Sequence, residues 1–333
     1  MGKEKKVAII TGITGQDGAY LSKFLIEKGY KVFGFMRDTS FPYLCNLEYL
    51  GISGKVELVR ANLLDLSNLI RLLDNIQPDE IYNLAAQSSV GLSFEQPLWT
   101  LEFNSLSTAN LLEAVRVAKS DAKFYQASSS EMYGNVNRDN LPVTEKTPMH
   151  PISPYAISKA AAHWITINYR EAYGLFAVCG ILFNHESALR GKNFVTRKVL
   201  DTAVKISRGL ADNLVLGNLN VFRDWGYAPE YIKAIWLMLQ QEEPDDFIIC
   251  SGEAHSLEEF VKRVFRKLDL DFERLVEIDE RHYRPMDLEI VYGDNSKAKR
   301  LLGWQYNMSF EKLIDVLVED EIRYMEWKLN SRE

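Results

Sequence analysis

The sequence predicts an α/β fold, in which a doubly wound parallel sheet is accompanied by a smaller, mixed α/β substrate domain. Short runs rich in apolar, β-branched or aromatic residues alternate with helical patterns, as they do in a parallel sheet with crossover helices. Several runs are almost continuously apolar, which is expected of strands covered by helices on both faces. The seven runs predicted as strands are Val7–Thr11, Lys31–Met36, Val56–Arg60, Ile81–Ala86, Phe124–Ala127, Phe176–Phe183 and Phe247–Cys250.

The first predicted strand is followed by a glycine-rich segment, Gly12-Ile-Thr-Gly15-Gln-Asp-Gly18, and then by a helical pattern over Ala19–Lys28. Glycines at this spacing let the backbone turn tightly and approach a pyrophosphate, whose charge is met by free N–H groups at the helix N-terminus. We therefore expect a Rossmann-type sheet that binds a dinucleotide. The spacing G-x-x-G-x-x-G is the variant associated with short-chain dehydrogenase/reductase folds.

The second half of the chain contains three clearer helical patterns. Pro229–Gln241 has a proline near its first turn, which suits a helix start. Ser256-Leu-Glu-Glu259 has the form of a capping box before Phe260–Leu268, and Ser309 precedes a long amphipathic stretch that ends near Leu329.

The predicted strand near residue 247 indicates that the chain returns to the first sheet late in the sequence. We expect a dinucleotide-binding domain of residues 1–180, to which residues from about 222 to 252 return. Residues 181–221 and 253–333 would then form a discontinuous substrate-binding domain.

A second set of residues points to oxidation of an alcohol. Tyr155 and Lys159 are at positions i and i+4 of a helical pattern, so the ammonium is expected to lower the pKa of the phenol and to reach a cofactor ribose. Ser129, at the end of a predicted strand, can hydrogen-bond a substrate alkoxide or carbonyl. Glu131 supplies an additional acid or base. Together these are the catalytic candidates.

Composition limits the other classes of function. Hydrophobic residues make up 47% of the 333 residues, enough for a large core, and the length suggests about two domains. No apolar run approaches the ~20 residues of a membrane span, and no signal peptide pattern precedes the first strand, so we expect a cytoplasmic protein with no membrane association. The net charge of −7 opposes nonspecific binding to nucleic acid. Cys45, Cys179 and Cys250 lack metal-site spacing, and no metal is expected.

Beyond these local patterns, seven longer segments are distinctive: Thr11–Gly18, Tyr82–Ser88, Tyr125–Ser128, Gly180–Ser187, Phe194–Lys198, Leu216–Leu219 and Arg223–Gly226. Together they closely resemble the corresponding segments of GDP-mannose 4,6-dehydratases, which are extended members of the short-chain dehydrogenase/reductase superfamily. The resemblance implies conversion of GDP-mannose to GDP-4-keto-6-deoxymannose. It implies that Tyr155 takes the C4 hydroxyl proton and that Glu131 removes the C5 proton as water leaves C6. It also implies a homodimer or homotetramer.

The resemblance also implies the binding residues. Asn184 and Arg223 are the first candidates for pyrophosphate contacts, with Lys198 and Arg284 next, and Glu186 would face the hexose. The expected cofactor-binding residues are Gly12, Thr14, Gly15, Gln16, Asp17, Gly18, Arg37, Asn62, Leu63, Leu84, Ala85 and Ala86, together with Tyr155 and Lys159. The expected substrate-binding residues are Ser88, Asn184, Glu186, Val195, Lys198, Leu216, Asn218, Arg223 and Arg284. His185, by contrast, is interpreted as a hydrogen-bonded structural residue with no role in proton transfer.

Three departures from the family pattern concern the site. In the family an Arg-Arg pair grips the 2′-phosphate of NADP, so the resemblance implies NADP. Here the pair is Arg37-Asp38. Because a carboxylate after the second strand commonly binds the free 2′-hydroxyl of NAD, NAD stays open as the cofactor. Asn62 replaces the usual aspartate of an Asp-Leu pair beside the adenine. Ser129 replaces threonine and keeps the hydroxyl. The segment Asp38–Asn46 is poorer in arginine than the family, which leaves open tetramer formation through this loop.

Other functions on the same scaffold remain open. One is the reductase that consumes GDP-4-keto-6-deoxymannose, and another is an epimerase or dehydratase for a different nucleotide-sugar. A simple reductase needs no base for C5, so Glu131 favours elimination. A noncatalytic dinucleotide sensor could lose Tyr155, Lys159 or Glu131 without penalty, yet the chain retains all three.

Overall fold

The fold is described by a computed structural model that covers residues 5–40, 43–283 and 286–331, without the side chain of residue 282. The strands, in chain order, are β1 (Val7–Thr11), β2 (Lys31–Met36), β3 (Glu57–Arg60), β4 (Glu80–Asn83), β5 (Lys123–Ser129), β6 (Ala177–Leu182), β7 (Asn184–Glu186), β8 (Leu214–Leu216), β9 (Phe222–Arg223), β10 (Trp225–Tyr227), β11 (Asp246–Ile249), β12 (His255–Ser256), β13 (Val276–Ile278) and β14 (Ile290–Val291).

The α-helices, in chain order, are α1 (Gln16–Glu27), α2 (Cys45–Tyr49), α3 (Leu66–Ile76), α4 (Val90–Glu95), α5 (Pro97–Val117), α6 (Pro154–Tyr173), α7 (Val195–Ser207), α8 (Ala228–Leu239), α9 (Leu257–Lys267), α10 (Phe272–Leu275), α11 (Ser296–Leu302) and α12 (Phe310–Asn330). Short 3₁₀ turns cover Ser53–Lys55, Ser130–Tyr133, Arg138–Asn140 and Glu280–His282. None of the helices in these described ranges is long and apolar enough to cross a membrane.

A seven-stranded parallel sheet forms the centre of the fold, in the order β11–β6–β5–β4–β1–β2–β3. This order confirms the predicted α/β, doubly wound, Rossmann-type sheet, and all seven predicted strand runs contribute to it. The order reverses beside β1, where a crevice opens at the carboxyl ends of β1 and β4. Ligands are therefore expected at the end of β1, where the glycine-rich segment begins.

Alternating side chains of the central strands bury both faces of the sheet. Ile10 of β1 and Tyr125 of β5 belong to the core formed with α1 and α8. Ile9 and Phe124, their neighbours in sequence, belong to the opposite core formed with α3 and α5. Helices thus cover both faces, which explains the nearly continuous apolarity of these strands.

A separate apolar core lies among α7, α9, α12 and the paired strands β8 and β13. The predicted caps position two of these helices: Ser256 Oγ accepts a hydrogen bond from the Glu259 amide at 3.0 Å, and Ser309 Oγ accepts one from the Lys312 amide at 3.2 Å. Within the stretch expected to return to the first domain, β11 joins the central sheet, whereas β9 and β10 pair with strands outside it. The proposed domain boundaries stay a prediction.

The largest difference between a predicted and an observed strand end is in β4. The run Ile81–Ala86 leaves the sheet after Asn83, because the amides of Leu84 and Ala85 both donate to Thr11 Oγ1 at 3.0 Å instead of to a neighbouring strand. This turn brings the Ala85 backbone against Gly12, so the local side-chain bond also shapes the glycine-rich segment.

Candidate active site

The glycine-rich segment turns the chain sharply between β1 and α1. Gly12 has a φ of +67°, and a Cβ atom there would lie 2.9 Å from the Ala85 nitrogen. A Cβ atom at Gly18 would lie 2.4 Å from the Gly12 oxygen, closer than real Cβ contacts allow. Gly15 stands at the N-cap of α1, so the first amides of this helix point into a cleft. This geometry suits a pyrophosphate.

The larger cleft, of about 700 Å³, lies at the carboxyl ends of β1, β4, β5 and β6. It brings together most of the residues expected to bind the cofactor: Gly12, Thr14, Gly15, Gln16, Asp17, Gly18, Leu84, Ala85, Ala86, Tyr155 and Lys159. A smaller cavity of about 230 Å³ adjoins it. Both are lined by Ser88, Ser89, Ser129, Tyr155, Asn184, Arg190, Asn193 and Phe194.

The smaller cavity brings together six of the nine residues expected to bind the substrate: Ser88, Asn184, Glu186, Val195, Asn218 and Arg223. Lys198 and Leu216 are not among the described residues that line it. The Leu216 side chain is 2% exposed and belongs to the apolar core beside β13. It therefore does not reach the wall of the smaller cavity. Arg284 lies outside the described residues.

The catalytic candidates meet where the two spaces join. Ser129 is the last residue of β5 and is followed by a 3₁₀ turn that contains Glu131. Tyr155 is the second residue of α6, whose start is capped by Ser153 Oγ and has proline in its first turn. Ser129, Glu131 and Tyr155 all line the smaller cavity. Hence Ser129, Tyr155 and the carboxylate of Glu131 face the same space, whereas Lys159 lines the larger cleft.

The electrostatics of Tyr155 differ from the expectation. Burial raises the pKa of Tyr155 to about 12, although its hydrogen bond with Ser129 and the charge of Arg190 act in the opposite direction. The expected lowering of the phenol pKa was therefore wrong, because removal of the phenol from water outweighs the Ser129 hydrogen bond and the Arg190 charge. Spacing along a helix gives no information on burial.

Lys159 is held beneath the cleft. Its ammonium donates to the Ala127 carbonyl at 2.9 Å, and its Nζ lies 5.9 Å from the centre of the Tyr155 ring. Burial lowers the pKa of Lys159 to about 8, while the charge of Asp17 raises it. The lysine therefore loses its charge in mildly alkaline solution.

The sequence is similar to those of a known enzyme family. A profile of the family described as GDP-mannose 4,6 dehydratase matches residues 9–317. The chain belongs to the GDP-mannose 4,6-dehydratase family. GDP-mannose 4,6 dehydratase 2 of Arabidopsis thaliana is 49% identical over 328 residues, which cover 96% of this chain and 87% of that protein. GDP-mannose 4,6 dehydratase of Homo sapiens is 42% identical over 356 residues, which cover 99% and 95%.

Solved structures share the fold. RMD from Pseudomonas aeruginosa, complexed with NADPH, has a TM-score of 0.79 at 24% identity and covers 96% of this chain and 100% of its own. UDP-glucose 4-epimerase from Thermus thermophilus, in a complex with NAD, has a TM-score of 0.82 at 25% identity and covers 95% and 99%. These neighbours support a nicotinamide dinucleotide as the cofactor class of the fold.

Two of the three departures from the family pattern, at Asp38 and Asn62, lie just after β2 and β3. Arg37 and Asp38 follow β2 and are exposed near Arg60, the last residue of β3. Hydrogen bonds from Ser40 lower the pKa of Asp38, and the charges of Arg60 and Arg37 add to this effect. The charges of two cations thus act on a carboxylate at this edge.

Three expected cofactor residues at this edge, Arg37, Asn62 and Leu63, are not among the described residues that line the larger cleft. Asn62 Oδ1 accepts from the Leu64 amide at 3.1 Å, and Leu63 is buried against α3 and α5. Both side chains are thus engaged locally, and their cofactor roles stay predictions.

Arg223 has its guanidinium held by neighbouring acceptors. Its Nη1 donates to the Phe222 and Leu288 carbonyls at 2.9 and 2.7 Å, and its Nη2 pairs with Asp287 at 2.7 Å. Because the side chain is only 7% exposed, this network fixes its direction at the cavity wall. Contact with a pyrophosphate stays a prediction.

Arg190 is a site residue that the sequence patterns did not reveal. It lines both spaces, forms an ion pair with Glu186 at 3.2 Å, and stacks its guanidinium 4.3 Å from the Phe194 ring centre. The i,i+4 spacing from Glu186 could have suggested the pair, but only the fold places it beside Tyr155.

Proposed function

We propose that the protein converts GDP-mannose to GDP-4-keto-6-deoxymannose, a hydro-lyase reaction that uses NADP or NAD without net consumption. One observation carries the proposal beyond the family resemblance. Glu131 lines the same small cavity as Ser129 and Tyr155, beside the cleft of the glycine-rich segment. A reductase or epimerase on this fold requires the hydroxyl pair, whereas elimination also requires a base at C5.

The larger cleft fits a dinucleotide. Gly12 and Gly18 leave no room for a Cβ atom, which keeps the turn narrow enough for close approach of a pyrophosphate to the first amides of α1. Lys159 lies deeper in the same cleft and can hydrogen-bond a ribose. A bound nicotinamide would accept a hydride from C4 and later return it to C6.

In the first half of the reaction, Tyr155 accepts the proton of the C4 hydroxyl as C4 becomes a ketone. The Ser129 hydrogen bond and the Arg190 charge act in the direction that favours the phenolate. Ser129 also donates to the C4 oxygen, so that its developing charge is shared.

In the second half, the C4 ketone acidifies the C5 proton. The Glu131 carboxylate removes this proton and supplies a proton to the C6 hydroxyl, which leaves as water. Tyr155 then returns its proton to C5 of the sugar as C6 becomes a methyl group. Arg190, Glu186 and Asn184 border the cavity and would hold the hexose and the adjoining phosphate.

Incubation of the purified protein with GDP-mannose tests the proposal directly. Parallel reactions contain a substoichiometric amount of NADP+ or of NAD+ and no reductant, and mass analysis follows the sugar nucleotide. We expect loss of one water from most of the substrate. Reduction of GDP-4-keto-6-deoxymannose by NADPH or NADH, without dehydration of GDP-mannose, would instead establish the reductase. Cytoplasmic location and a homodimeric or homotetrameric state stay predictions.

A further inference from the structure

His185 occupies a buried position between the two spaces of the site. It is the central residue of β7, between Asn184 and Glu186, and is 8% exposed. Its Nδ1 lies 2.7 Å from the Phe183 carbonyl oxygen. Its Nε2 lies 3.0 and 2.9 Å from the two carboxylate oxygens of Asp17, in the first turn of α1.

These contacts define the protonation state of the ring. A backbone carbonyl oxygen only accepts hydrogen bonds, and so does an ionised carboxylate. Both ring nitrogens must therefore donate, and only the imidazolium carries two N–H groups. Burial acts to lower the pKa of His185, but the charge and hydrogen bond of Asp17 raise it above its ordinary value, while the pKa of Asp17 is lowered.

Other charged and titratable groups surround the pair. The positive charge of Arg190 disfavours protonation of His185. Tyr231 of α8 stacks on the imidazole with ring centres 4.8 Å apart. On the other side, Lys159 of α6 and Tyr125 of β5 both respond to the charge of Asp17. Within this group His185 is the direct charge partner of Asp17.

The same two segments are tied together by neighbouring bonds. Gln16 Nε2 donates to the His185 carbonyl and to Asp17, each at 3.0 Å, and Ser187 Oγ donates to Gln16 Oε1 at 2.8 Å. The glycine-rich segment and residues 184–187 thus form one hydrogen-bonded unit. Asn184 and Glu186, on either side of His185 in β7, line the smaller cavity.

Asp17 and His185 both line the larger cleft, so their net charge faces the place where the anionic diphosphate of a dinucleotide would lie. With His185 protonated the pair is neutral. Without that proton, Asp17 loses its direct charge partner and keeps only the charges of Arg190 and Lys159, which act on it without a direct ion pair. Its carboxylate then repels a diphosphate at the N-terminus of α1, while one of the two ring hydrogen bonds is lost.

We propose that His185, which is an imidazolium at neutral pH, is a positioning residue. It neutralises the charge of Asp17 and holds the glycine-rich segment against β7, the strand that contains Asn184 and Glu186. The inference rests on the proposed dinucleotide site but not on the dehydration chemistry. Cofactor affinity should therefore fall as pH rises through the titration of His185, even in the absence of sugar nucleotide.

The first test measures NADPH and NADH binding to the protein alone, by calorimetry across neutral and alkaline pH. His185→Phe keeps a ring against Tyr231 but removes both donors, and we expect about tenfold weaker binding at neutral pH with loss of the alkaline decline. His255→Phe is the matched control, because His255 also pairs with a carboxylate, Glu259 at 3.1 Å, and stacks on Phe310, but lies outside both spaces.

The double variant Asp17→Asn/His185→Phe separates charge from general damage. If the Asp17 carboxylate without its imidazolium partner is the cause, removal of that charge restores much of the affinity that His185→Phe loses. Equal or weaker binding by the double variant would overturn the charge argument, and so would unchanged affinity and pH dependence in His185→Phe.

Nitrogen-15 NMR of the histidine rings in the unaltered protein provides a measurement independent of folding in the variants. We expect both His185 nitrogens to be protonated at neutral pH. A neutral tautomer would overturn the proposal even if dehydration is confirmed. Conversely, failure of GDP-mannose dehydration with a doubly protonated His185 and pH-dependent dinucleotide binding would overturn only the proposed reaction.

Discussion

Ser129 and Glu131 are joined within one short turn: the Glu131 amide donates to Ser129 Oγ at 3.3 Å. The bond lies where β5 ends and the 3₁₀ turn begins, and both side chains line the smaller cavity. The hydroxyl proposed to act at C4 is therefore held by the backbone of the residue whose carboxylate is proposed to act at C5. This relationship links oxidation and elimination in one site.

Glu131→Gln is expected to lower the rate of water loss by about 10²-fold or more, because the amide keeps the shape but cannot take the C5 proton. Hydride abstraction from C4 should persist, so reduced nicotinamide accumulates in a single turnover. Stopped-flow absorbance and mass analysis follow the two steps. Glu311→Gln is the control, on a glutamate whose side chain is 80% exposed on α12. Dehydration at the original rate by Glu131→Gln would show that another group is the base.

Changes at Ser129 distinguish the hydroxyl from the size of the side chain. Ser129→Thr restores the residue typical of the family and keeps the donor, so kcat should stay within a few-fold. Ser129→Ala removes both the donor to the C4 oxygen and the hydrogen bond that favours the Tyr155 phenolate, and should lower kcat by about tenfold or more. Steady-state kinetics with GDP-mannose compare them. Equal rates for the two variants would argue against a role for the hydroxyl.

The pH dependence of catalysis should depend on Lys159. Burial lowers its pKa to about 8, so the ammonium is present below this pH and is lost above it. With saturating cofactor and substrate, kcat should decline above about pH 8, and Lys159→Arg should move the decline to higher pH because guanidinium stays charged. Cofactor binding, which reports on His185, is measured separately. An unchanged decline in Lys159→Arg would assign it to another group.

Asp38 is expected to influence the choice between NADP and NAD. It is exposed beside Arg37 and Arg60, and its charge repels a 2′-phosphate. Asp38→Arg should raise the affinity ratio of NADP+ to NAD+ by about tenfold or more, and Asp38→Asn should give a smaller rise in the same direction. Calorimetric titration gives both constants. A ratio that does not respond to either change would place the 2′-position elsewhere.

The glycine-rich segment should not tolerate a methyl group at Gly18. A Cβ atom there would lie 2.4 Å from the Gly12 oxygen, which is backbone and cannot move without opening the turn. We expect Gly18→Ala to weaken dinucleotide binding by about tenfold or more and to lower Tm. Gly54→Ala is the control, since nothing lies within 4 Å of its added Cβ atom. Equal behaviour of the two variants would contradict the close approach.

Local patterns were sufficient for the sheet, whereas the expected substrate-binding residues came from the family resemblance and stay predictions. The runs Val7–Thr11 and Lys31–Met36 form strands with the predicted bounds, because alternate side chains enter two apolar cores. The end of β4 could not be predicted in this way, since it depends on bonds to Thr11 from a distant part of the chain.

The electrostatics of the site were less visible in the sequence. The i,i+4 spacing of Tyr155 and Lys159 indicated a shared helix face, but the raised pKa of the phenol follows from burial, which spacing does not report. Arg190 and His185 likewise acquire their surroundings only when β7 is placed against the first turn of α1. Long-range contacts, rather than residue type, determine these properties.

Transfer of a deuterium label tests the central claim most directly. GDP-mannose deuterated at C4 is incubated with the protein and substoichiometric NADP+ or NAD+, and the product is examined by mass spectrometry and NMR. The proposed reaction predicts loss of one water and deuterium in the C6 methyl group, because the hydride removed from C4 returns to the same sugar. Deuterium accumulating in reduced nicotinamide without water loss, or a 6-deoxy product without the label, would contradict it.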